Sequence, residues 1–593
     1  MRYLLSFILL VSSALAEPVA SVGSPSVPEA LQGQIMDAYN RGERKITITP
    51  GIYVVKAPLT LREIRDVEIA AYGVELAVDH PTSGALMLEN CHNVQFKGAI
   101  LRYAKPHTGQ ARILAVGSDD EGEYCDIELE PGFPKDATFA IAAVVDGLTL
   151  LPKTDGGSAR FLQSLAGPDQ FRLYWKGDPS WKKFPDTSIW PAPGDYLVCR
   201  GPGGMMCYAK GSQSCTFEDI TIYWGGQFGF YESHSASANR YIRNTITYGP
   251  IPPGARMRAL VSQSADGLHC GGSIVGPTVE GCLFEGQMDD GVNIHGSFYQ
   301  IARSRGSIVT MGFPSDFLDA PREYHPDDAI YIYDVRKHTL LARKIVAINE
   351  TNFVSSRQSR HSRFANYPMR FVDLTLDEEV DVPYDSVAWF PSRCGAGYRI
   401  NGCTIRNNWS RGFLLKADDG SLTNNIVERT PGAGIVLSTE LNWAEAGYSR
   451  KVTIEGNTLR SCGFLNVAAL GEQAGGLVVT STGMEGHGHA EIRIRNNTFE
   501  NIDLTNIIIR HARDVIISDN KFINPLHRTS STGDIGKPFG IDGQAIIWID
   551  DSERITLSGN QVIKPGPYAR SGLSVSTSVE EVTGSLEIPQ AGL

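Results

Sequence analysis

The sequence predicts an all-β protein, a right-handed parallel β-helix with two small antiparallel, barrel-like β modules inserted between its rungs. Two observations support this fold class. A phrase of β-formers, Asn or Cys, and further β-formers recurs at 279–284, 400–405, 422–427, 454–459, 494–499, 517–522 and 557–562. Two stretches of about 95 residues, 105–200 and 298–393, lack the phrase and contain alternating runs such as YLVC and AIYIYDV.

The spacing of the phrase indicates the solenoid. Cys403 and Asn425 are 22 residues apart, and Asn497 and Asn520 are 23 apart, which is the length of a rung of three short strands. An antiparallel sandwich would need many two-residue Asn-Gly turns, and few are present. The L-x-x-L-x-L phrase of leucine-rich repeats is absent. Asn also tolerates the left-handed backbone of rung corners, and its amide can bond the equivalent Asn of the next rung.

The ends and the insertions divide the chain into six parts. Arg2, an apolar run and Ala14-Leu15-Ala16 indicate a secretory signal that is too short to span a bilayer. A helix over 28–39 is expected to cap the open end of the solenoid. The parts are the signal at 1–16, the cap and first rungs at 17–104, the first module at 105–200, the central rungs at 201–297, the second module at 298–393 and the C-terminal rungs at 394–593.

The charge and the cysteine content of the chain limit the classes of partner and of scaffold to be expected. The formal net charge is -12, and removal of the signal with its single charge, Arg2, makes it -13. An acidic chain without basic clusters argues against nucleic acid and anionic membranes as partners. Ten cysteines are too few for a disulfide scaffold, although Cys207 and Cys215 could pair. We therefore expect a protein that is secreted or periplasmic, without a membrane span, cofactor or metal, and with its oligomeric state left open.

The densest group of chemically useful residues is a set of three aspartates. Asp266 and Asp290 stand in equivalent Asp-Gly-apolar phrases 24 residues apart, so they belong to adjacent rungs, and Asp289 is their neighbour. We expect a bend that turns both Asp289 and Asp290 outward. Carboxyl groups packed this closely have different pKa values, so one can act as the acid and another as the base that glycoside hydrolysis requires. Bound calcium and plain Asp-Gly turns are the competing interpretations.

Polar and aromatic residues on neighbouring rungs extend this group into a predicted sugar-binding cleft. Lys416 is in register with His295, and Glu440 and Trp443 follow one rung later. We interpret His269 and His295 as hydrogen-bonding groups rather than metal ligands, because no third ligand is evident. Lys416 could instead be a solvated charge and Trp443 a packing residue. The predicted substrate-binding residues are His269, Asn293, His295, Lys416, Glu440 and Trp443.

The phrases ADGLH at 265–269, DDGVNIHG at 289–296 and STELNW at 438–443 resemble glycoside hydrolase family 110. The resemblance covers essentially the whole mature chain. It implies an exo-acting, inverting, metal-independent α-galactosidase that removes terminal α-1,3-linked galactose from oligosaccharides or glycoconjugates. The catalytic carboxylates would be among Asp266, Asp289 and Asp290. Gly291 departs from the Pro expected after the double Asp, which leaves the linkage and sugar specificity open.

Two other functions remain in view. Polygalacturonase-like enzymes also use one Asp, an Asp pair and a His on a β-helix, but they need a basic Arg-Ile-Lys phrase that this sequence lacks. A non-catalytic carbohydrate-binding β-helix predicts aromatic stripes along many rungs. Here the polar residues concentrate on about four adjacent rungs, which favours an enzyme.

Overall fold

A computed structural model describes residues 19–177, 182, 187–314, 324–355, 357–366, 368–464, 471–528 and 536–589. The predicted signal at 1–16 lies outside the described residues and stays a prediction. Among the helices of the described ranges, none has the length and apolar character needed to cross a bilayer.

The prediction of an all-β parallel solenoid is confirmed. Each rung contributes strands to three parallel faces, here called faces A, B and C. Face A contains Leu59–Arg62, Leu86–Glu89, Cys207–Lys210, Phe230–Ser233, Leu268–Gly271, Val292–Ser297, Phe413–Leu415, Ile435–Glu440, Gly475–Thr482 and Ser571–Val575. Face B contains Val19–Val22, Lys45–Ile48, Arg65–Ala70, His92–Lys97, Thr216–Glu218, Arg240–Ile242, Thr278–Glu280, Arg399–Asn401, Ser421–Thr423, Thr453–Glu455, His489–Arg495 and Glu580–Thr583.

Two long strands, Thr505–Ser518 and Ala545–Ser558, run through the corner from face A into face B. Face C is a separate sheet of 12 strands. Its strands are Gly51–Val55, Val74–Val78, Ile100–Tyr103, Thr221–Tyr223, Thr245–Ile246, Leu283–Glu285, Thr404–Arg406, Ile426–Glu428, Thr458–Arg460, Thr498–Glu500, Lys521–Ile523 and Gln561–Ile563.

The core is built by stacking one apolar side chain per strand on its counterpart in the next rung. On face B, Ile400, Leu422, Ile454, Ile494 and Ile517 are in register and have no exposed surface. Side chains alternate across a strand, so the flanking residues face solvent. Each such side chain stabilises the fold by about 1.5–3 kcal/mol through burial.

The Asn of the repeated phrase lies inside the corner between faces B and C. The backbone N–H of Asn457 donates to Oδ1 of Asn497 at 2.9 Å, and that of Asn497 donates to Oδ1 of Asn520 at 2.9 Å. The left-handed conformation belongs to the preceding residue, as at Asn496, where φ is 55°. The predicted bond between equivalent Asn residues is therefore observed, but the corner conformation and the bond are supplied by consecutive residues.

Both regions without the repeated phrase are antiparallel sheets. The first is a seven-stranded sheet formed by Gly109–Asp119, Gly122–Leu129, Ala142–Val145, Pro152–Gly157, Ala159–Ser164, Gln170–Trp175 and Tyr196–Cys199. The second is a closed barrel formed by Tyr299–Arg305, Ile308–Pro314, Ala329–Asp334, Thr339–Glu350, Met369–Leu376 and Val387–Trp389. Each has a hydrophobic cluster of its own, and each also packs against the solenoid, the barrel through Val387 and Trp389 and the first sheet through Val145 and Val198. The six-part division with its exact boundaries stays a prediction.

Few helical segments accompany these strands. The predicted N-terminal helix is a 3-10 turn at Pro28–Ala30 followed by an α-helix at Leu31–Asn40, whose Leu31, Ile35 and Ala38 are buried in the solenoid core. A second α-helix is Ser362–Ala365. Further 3-10 turns are Thr187–Ile189, Pro391–Arg393, Leu441–Trp443, Gly471–Gln473 and Lys537–Phe539.

All ten cysteines lie within the described ranges, and all are buried free thiols. The pairing of Cys207 with Cys215 that the sequence allowed is therefore not observed. Cys215 and Cys403 occupy the corner position that Asn fills in later rungs. The backbone N–H of Cys215 donates to Oδ1 of Asn239, and that of Cys403 donates to Oδ1 of Asn425, both at 2.9 Å. Their role is to fill the interior of the solenoid.

Candidate active site

The candidate site lies on the outer surface of face A. Tyr231, His269, Asn293 and Leu414 are in register at the outward position of successive strands. From Leu414 onward this position is apolar and buried beneath covering segments, at Val436, Val478, Ile508 and Trp548. The polar and aromatic surface therefore ends where the covered apolar surface begins.

The three aspartates converge at the start of two adjacent face A strands. The backbone N–H of Gly267 donates to the carbonyl oxygen of Asp290 at 3.0 Å, so the two Asp-Gly phrases are stacked in the register that the sequence indicated. One carboxylate oxygen from each of Asp266, Asp289 and Asp290 lies within 4.8 Å of the other two. At these distances the carboxylates interact strongly, and their protonation is linked.

Asp266 begins a chain of hydrogen bonds through two imidazoles. Its Oδ2 lies 2.7 Å from Nδ1 of His269, and Nε2 of His269 lies 2.8 Å from Nε2 of His295. Nδ1 of His295 donates to the carbonyl oxygen of Gly296 at 2.6 Å. Burial, followed by the neighbouring Asp289 and Asp290 charges, raises the pKa of Asp266 well above its usual range. Burial lowers the pKa of His269 and lowers that of His295 to about 4.

Asp290 is held by Arg411 in a buried network. Arg411 donates from Nε to Oδ1 at 2.9 Å and from Nη2 to Oδ2 at 2.8 Å, and its backbone N–H adds a bond to Oδ1 at 2.9 Å. Its Nη1 also bonds Glu440, which accepts from Nε2 of Gln473 at 2.9 Å. The Asp290 side chain is only 2% exposed, but its carboxylate lies beside those of Asp266 and Asp289, so both neighbouring aspartates reach the same patch and Asp290 is covered there by Arg411. The ion pair with Arg411 offsets the energetic cost of burying the Asp290 carboxylate.

Asp289 is the accessible member of the three. It lies at the bend before the strand Val292–Ser297, and its side chain is 28% exposed. Nη2 of Arg200 donates to its Oδ2 at 2.7 Å. Burial raises the pKa of Asp289, and the Arg200 charge opposes that rise. Nδ2 of Asn408 donates to the backbone carbonyl oxygen of Asp289 at 3.0 Å, which fixes the backbone at this bend.

Lys416 is fully buried, so the interpretation of this residue as a solvated charge is wrong. Its Nζ donates to Oε2 of Glu445 at 2.7 Å and to Oδ1 of Asn293 at 3.3 Å. Glu445 arrives here because the short strand Glu445–Ala446 pairs antiparallel with Gly296 and Ser297. Burial works against ionisation of Glu445, but Lys416 and the two histidines hold its pKa far below the usual range.

Two groups of side chains have geometries that could hold a metal ion: the three aspartates, and His269 and His295 together with Glu445. Glu445 supplies the third ligand-type atom beside His269 and His295, so the expectation that no third ligand exists is wrong. The Lys416 ammonium already neutralises Glu445, however, and Arg200 and Arg411 neutralise two members of the Asp cluster. A hydrogen-bonded ion-pair network therefore suits these residues better than a divalent cation.

Several residues of the site escaped the sequence analysis. Arg411 and Glu445 lay inside phrases already aligned with the aspartates, and a search for counter-charges there could have found them. No local signal identified Arg200, because it follows the last strand of the first inserted sheet. Tyr231 stacks on His269, with ring centroids 5.0 Å apart, and adds an aromatic surface. Trp443, at the end of a 3-10 turn beyond Glu440, is 59% exposed.

Comparison with known proteins gives a consistent result. The family described as right-handed β-helix region matches residues 391–522. Alpha-1,3-galactosidase B of Bacteroides thetaiotaomicron is 23% identical over 499 residues, which cover 78% of this chain and 74% of that protein. Alpha-1,3-galactosidase A of Akkermansia muciniphila is 26% identical over 324 residues, 52% of this chain and 48% of that protein. Alpha-1,3-galactosidase B of Phocaeicola vulgatus is 25% identical over 429 residues, 68% of each chain.

Proposed function

We propose that this protein is an exo-acting, inverting glycoside hydrolase that removes terminal α-1,3-linked galactose from glycans. The observation that carries the proposal is the convergence of an enclosed carboxyl group with a raised pKa, Asp266, and a partly exposed one paired with arginine, Asp289, which suits them to act as acid and base. Glycosidic bond hydrolysis requires this combination. The names of the related proteins and the resemblance to family 110 support galactose and the α-1,3 linkage.

Asp266 is the general acid in this proposal. The Gly296 carbonyl can only accept, so Nδ1 of His295 carries hydrogen, and the neutral ring presents a bare Nε2. His269 must then donate from its Nε2, which leaves Nδ1 of a neutral ring to accept from Asp266. One proton therefore lies between Asp266 and His269, in addition to the protons of a neutral imidazole. It belongs to this pair whichever of the two groups carries it. That proton is the one transferred to the leaving glycosidic oxygen.

Asp289 is the general base. It combines partial exposure with an arginine partner, whereas Asp290 is enclosed by Arg411. In the reaction, Asp266 protonates the glycosidic oxygen, and the bond between that oxygen and C1 breaks with its electron pair going to the oxygen. Water attacks C1 and gives a proton to Asp289. Asp290 supports this geometry from below rather than taking part in proton transfer.

Two of the predicted substrate-binding residues and one further group lie at the partly exposed side of the cluster. His269, His295 and the newly identified Glu445 retain partial exposure, and they are the groups proposed to bind galactose hydroxyls. Lys416 and Glu440 are fully enclosed, so they act on Glu445 and Arg411 instead. Asn293 donates to Glu445 from below, while Tyr231 and Trp443 offer aromatic surfaces to the sugar. Because the Lys416 charge is buried and neutralised, a polygalacturonase-like grip on a polyanion is disfavoured.

The stereochemical outcome needs a direct measurement. Carboxyl groups about 6.5–9.5 Å apart are typical of inversion and about 5–5.5 Å of retention. One oxygen of Asp266 lies within 4.8 Å of one oxygen of Asp289, a nearest approach that does not decide between these two ranges. We propose inversion on the resemblance to family 110, which predicts β-galactose as the first product.

The test is NMR of the anomer released from an α-1,3-galactosyl oligosaccharide. Early β-galactose, unaffected by chelator, is expected from the wild type, whereas α-galactose would replace inversion by retention. Asp289→Asn should lower kcat by at least about 100-fold, since base catalysis contributes about 10²–10⁴. Asp419→Asn, at an exposed left-handed position that suits Asn, is the matched control. No galactose release would refute the proposed substrate, and activity lost on chelation would instead assign a metal to the site.

A further inference from the structure

The first inserted sheet packs directly beneath the catalytic bend. Ala143, Val145 and Val198 of this sheet share a buried cluster with solenoid residues Leu260, Val261, Met288 and Trp409. Met288 immediately precedes Asp289. The sheet therefore supports the segment that carries the proposed base, rather than standing apart from the solenoid.

Polar contacts also fix the same sheet to the segment that precedes Asp266. The backbone N–H of Gly201 donates to Oγ of Ser264 at 3.0 Å, two residues before Asp266. The side chain of Gln110 accepts from the backbone N–H of Leu260 at 3.0 Å. These bonds close the rung around the insertion and limit the movement of the sheet relative to the aspartates.

Arg200 connects the two parts at the reacting carboxylate. Its backbone N–H donates to the Ile141 carbonyl at 3.0 Å, which anchors it to the sheet. Its Nη2 donates both to the Met288 carbonyl at 2.8 Å and to Oδ2 of Asp289 at 2.7 Å. One guanidinium nitrogen thus fixes the bend and one oxygen of the carboxylate, so the other carboxylate oxygen is left to accept a proton from water.

We infer that Arg200 is a positioning residue for the proposed base, and that the first inserted sheet exists in part to deliver it to Asp289. The inference rests on the proposed hydrolase function. It gives the insertion a defined task, because the last strand of the inserted sheet, Tyr196–Cys199, leads directly into Arg200. A charged partner at this distance favours the ionised form of Asp289 and holds its orientation.

The kinetic test compares Arg200→Met with Arg200→Lys. Arg200→Met should lower kcat by about 100-fold with KM little changed, because a small displacement of the base has that effect. The acidic limb of the kcat/KM profile should move to higher pH by about one unit. Arg200→Lys should restore part of both effects. Arg172→Met, which removes a paired arginine on the outer part of the same sheet, should leave the profile unchanged. An unaltered profile in Arg200→Met would overturn the inference.

A stability test separates this inference from the proposed function. The melting temperature lost in Arg200→Met should grow as pH rises from about 4 to about 7, because Asp289 then ionises without its partner. In an Asp289→Asn background this pH dependence should disappear. An equal loss at every pH in both backgrounds contradicts the inference. If the coupling is present but no α-galactoside is hydrolysed, the contact stands and the proposed function fails.

Discussion

At the residue scale, two acids of the same cleft are driven in opposite directions by their partners. Burial, followed by the neighbouring Asp289 and Asp290 charges, raises the pKa of Asp266, and its partner His269 is a neutral imidazole that does not oppose this rise. Glu445 is also enclosed, but the Lys416 ammonium, 2.7 Å from its Oε2, overcomes the effect of burial and lowers its pKa. Two neighbouring carboxyl groups thus have pKa values shifted in opposite directions because their counter-charges differ.

Glu232 is a buried acid outside the site. It lies inside the solenoid on the strand Phe230–Ser233, where it accepts from the Tyr241 hydroxyl at 3.0 Å and the Ser273 hydroxyl at 3.3 Å. Burial raises the pKa of Glu232 to about 7. The folded state therefore binds a proton that the unfolded chain has released at neutral pH. Its contribution to stability is present at acidic pH and is lost as pH rises through about 7.

Glu232→Gln should remove this pH dependence. Relative to the variant, the wild type should lose about 3 kcal/mol of unfolding free energy between about pH 4 and about pH 8. Denaturant unfolding of both proteins at the two pH values measures the difference. Glu29→Gln, at an exposed glutamate, is the control and should track the wild type. A constant difference between Glu232→Gln and wild type at both pH values would show that Glu232 is ionised throughout.

At the element scale, the Asn ladder joins successive rungs. Oδ1 of Asn497 accepts from the backbone N–H and the side chain of Asn457 at 2.9 and 3.0 Å. Its own Nδ2 donates to the Ile454 carbonyl at 2.9 Å and to Asn520 at 3.0 Å. One buried amide thus forms hydrogen bonds with polar groups of neighbouring rungs. Without it, these buried groups would have no hydrogen-bond partner.

Asn497→Ala should therefore destabilise the protein by about 3 kcal/mol, since it leaves at least one buried N–H without a partner. The adjacent Asn496→Gly is the matched control. Asn496 is exposed with φ of 55°, a conformation that Gly adopts without strain, so its replacement should change stability little. Thermal unfolding of the two variants measures the contrast. Equal melting temperatures would refute a structural role for the ladder.

At the scale of the whole molecule, the hydrophobic core is divided. The solenoid, the first inserted sheet and the barrel each have a main cluster of buried side chains, and smaller sets of side chains pack each insertion against the solenoid. Strands of the solenoid are held by rungs on both sides, whereas each insertion joins the chain only through its ends and one packed surface. Units with independent cores open independently when their own contacts are broken.

Hydrogen exchange in sub-denaturing urea should show this division. Amides of Tyr299–Arg305 and Met369–Leu376 in the barrel should exchange before those of Ile435–Glu440 and Ala545–Ser558 in the solenoid. Mass spectrometry of peptides from the four segments gives the order. Simultaneous exchange of all four would mean that barrel and solenoid unfold as one cooperative unit.

The sequence by itself determined the solenoid and the place of the acidic cluster. Period and residue type are local properties: a phrase of Asn or Cys between β-formers fixes the rung length, and a 24-residue separation stacks Asp266 on Asp290. The same register placed His269 beside Asn293 and brought Lys416 next to His295. These predictions needed only that adjacent rungs align, which parallel pairing enforces.

The tertiary structure alone decided which charges compensate one another. Arg200 reaches Asp289 across 89 residues, from the far end of an inserted sheet. Glu445 reaches Lys416 only because its segment folds back antiparallel on Gly296 and Ser297. Lys416 is buried against Glu445, and Asp290 is buried against Arg411. The roles proposed for the three aspartates rest on these pairings. A repeat pattern specifies the neighbours along the rungs, but the counter-charges here come from segments that depart from the repeat, and their position depends on the packing of the whole chain.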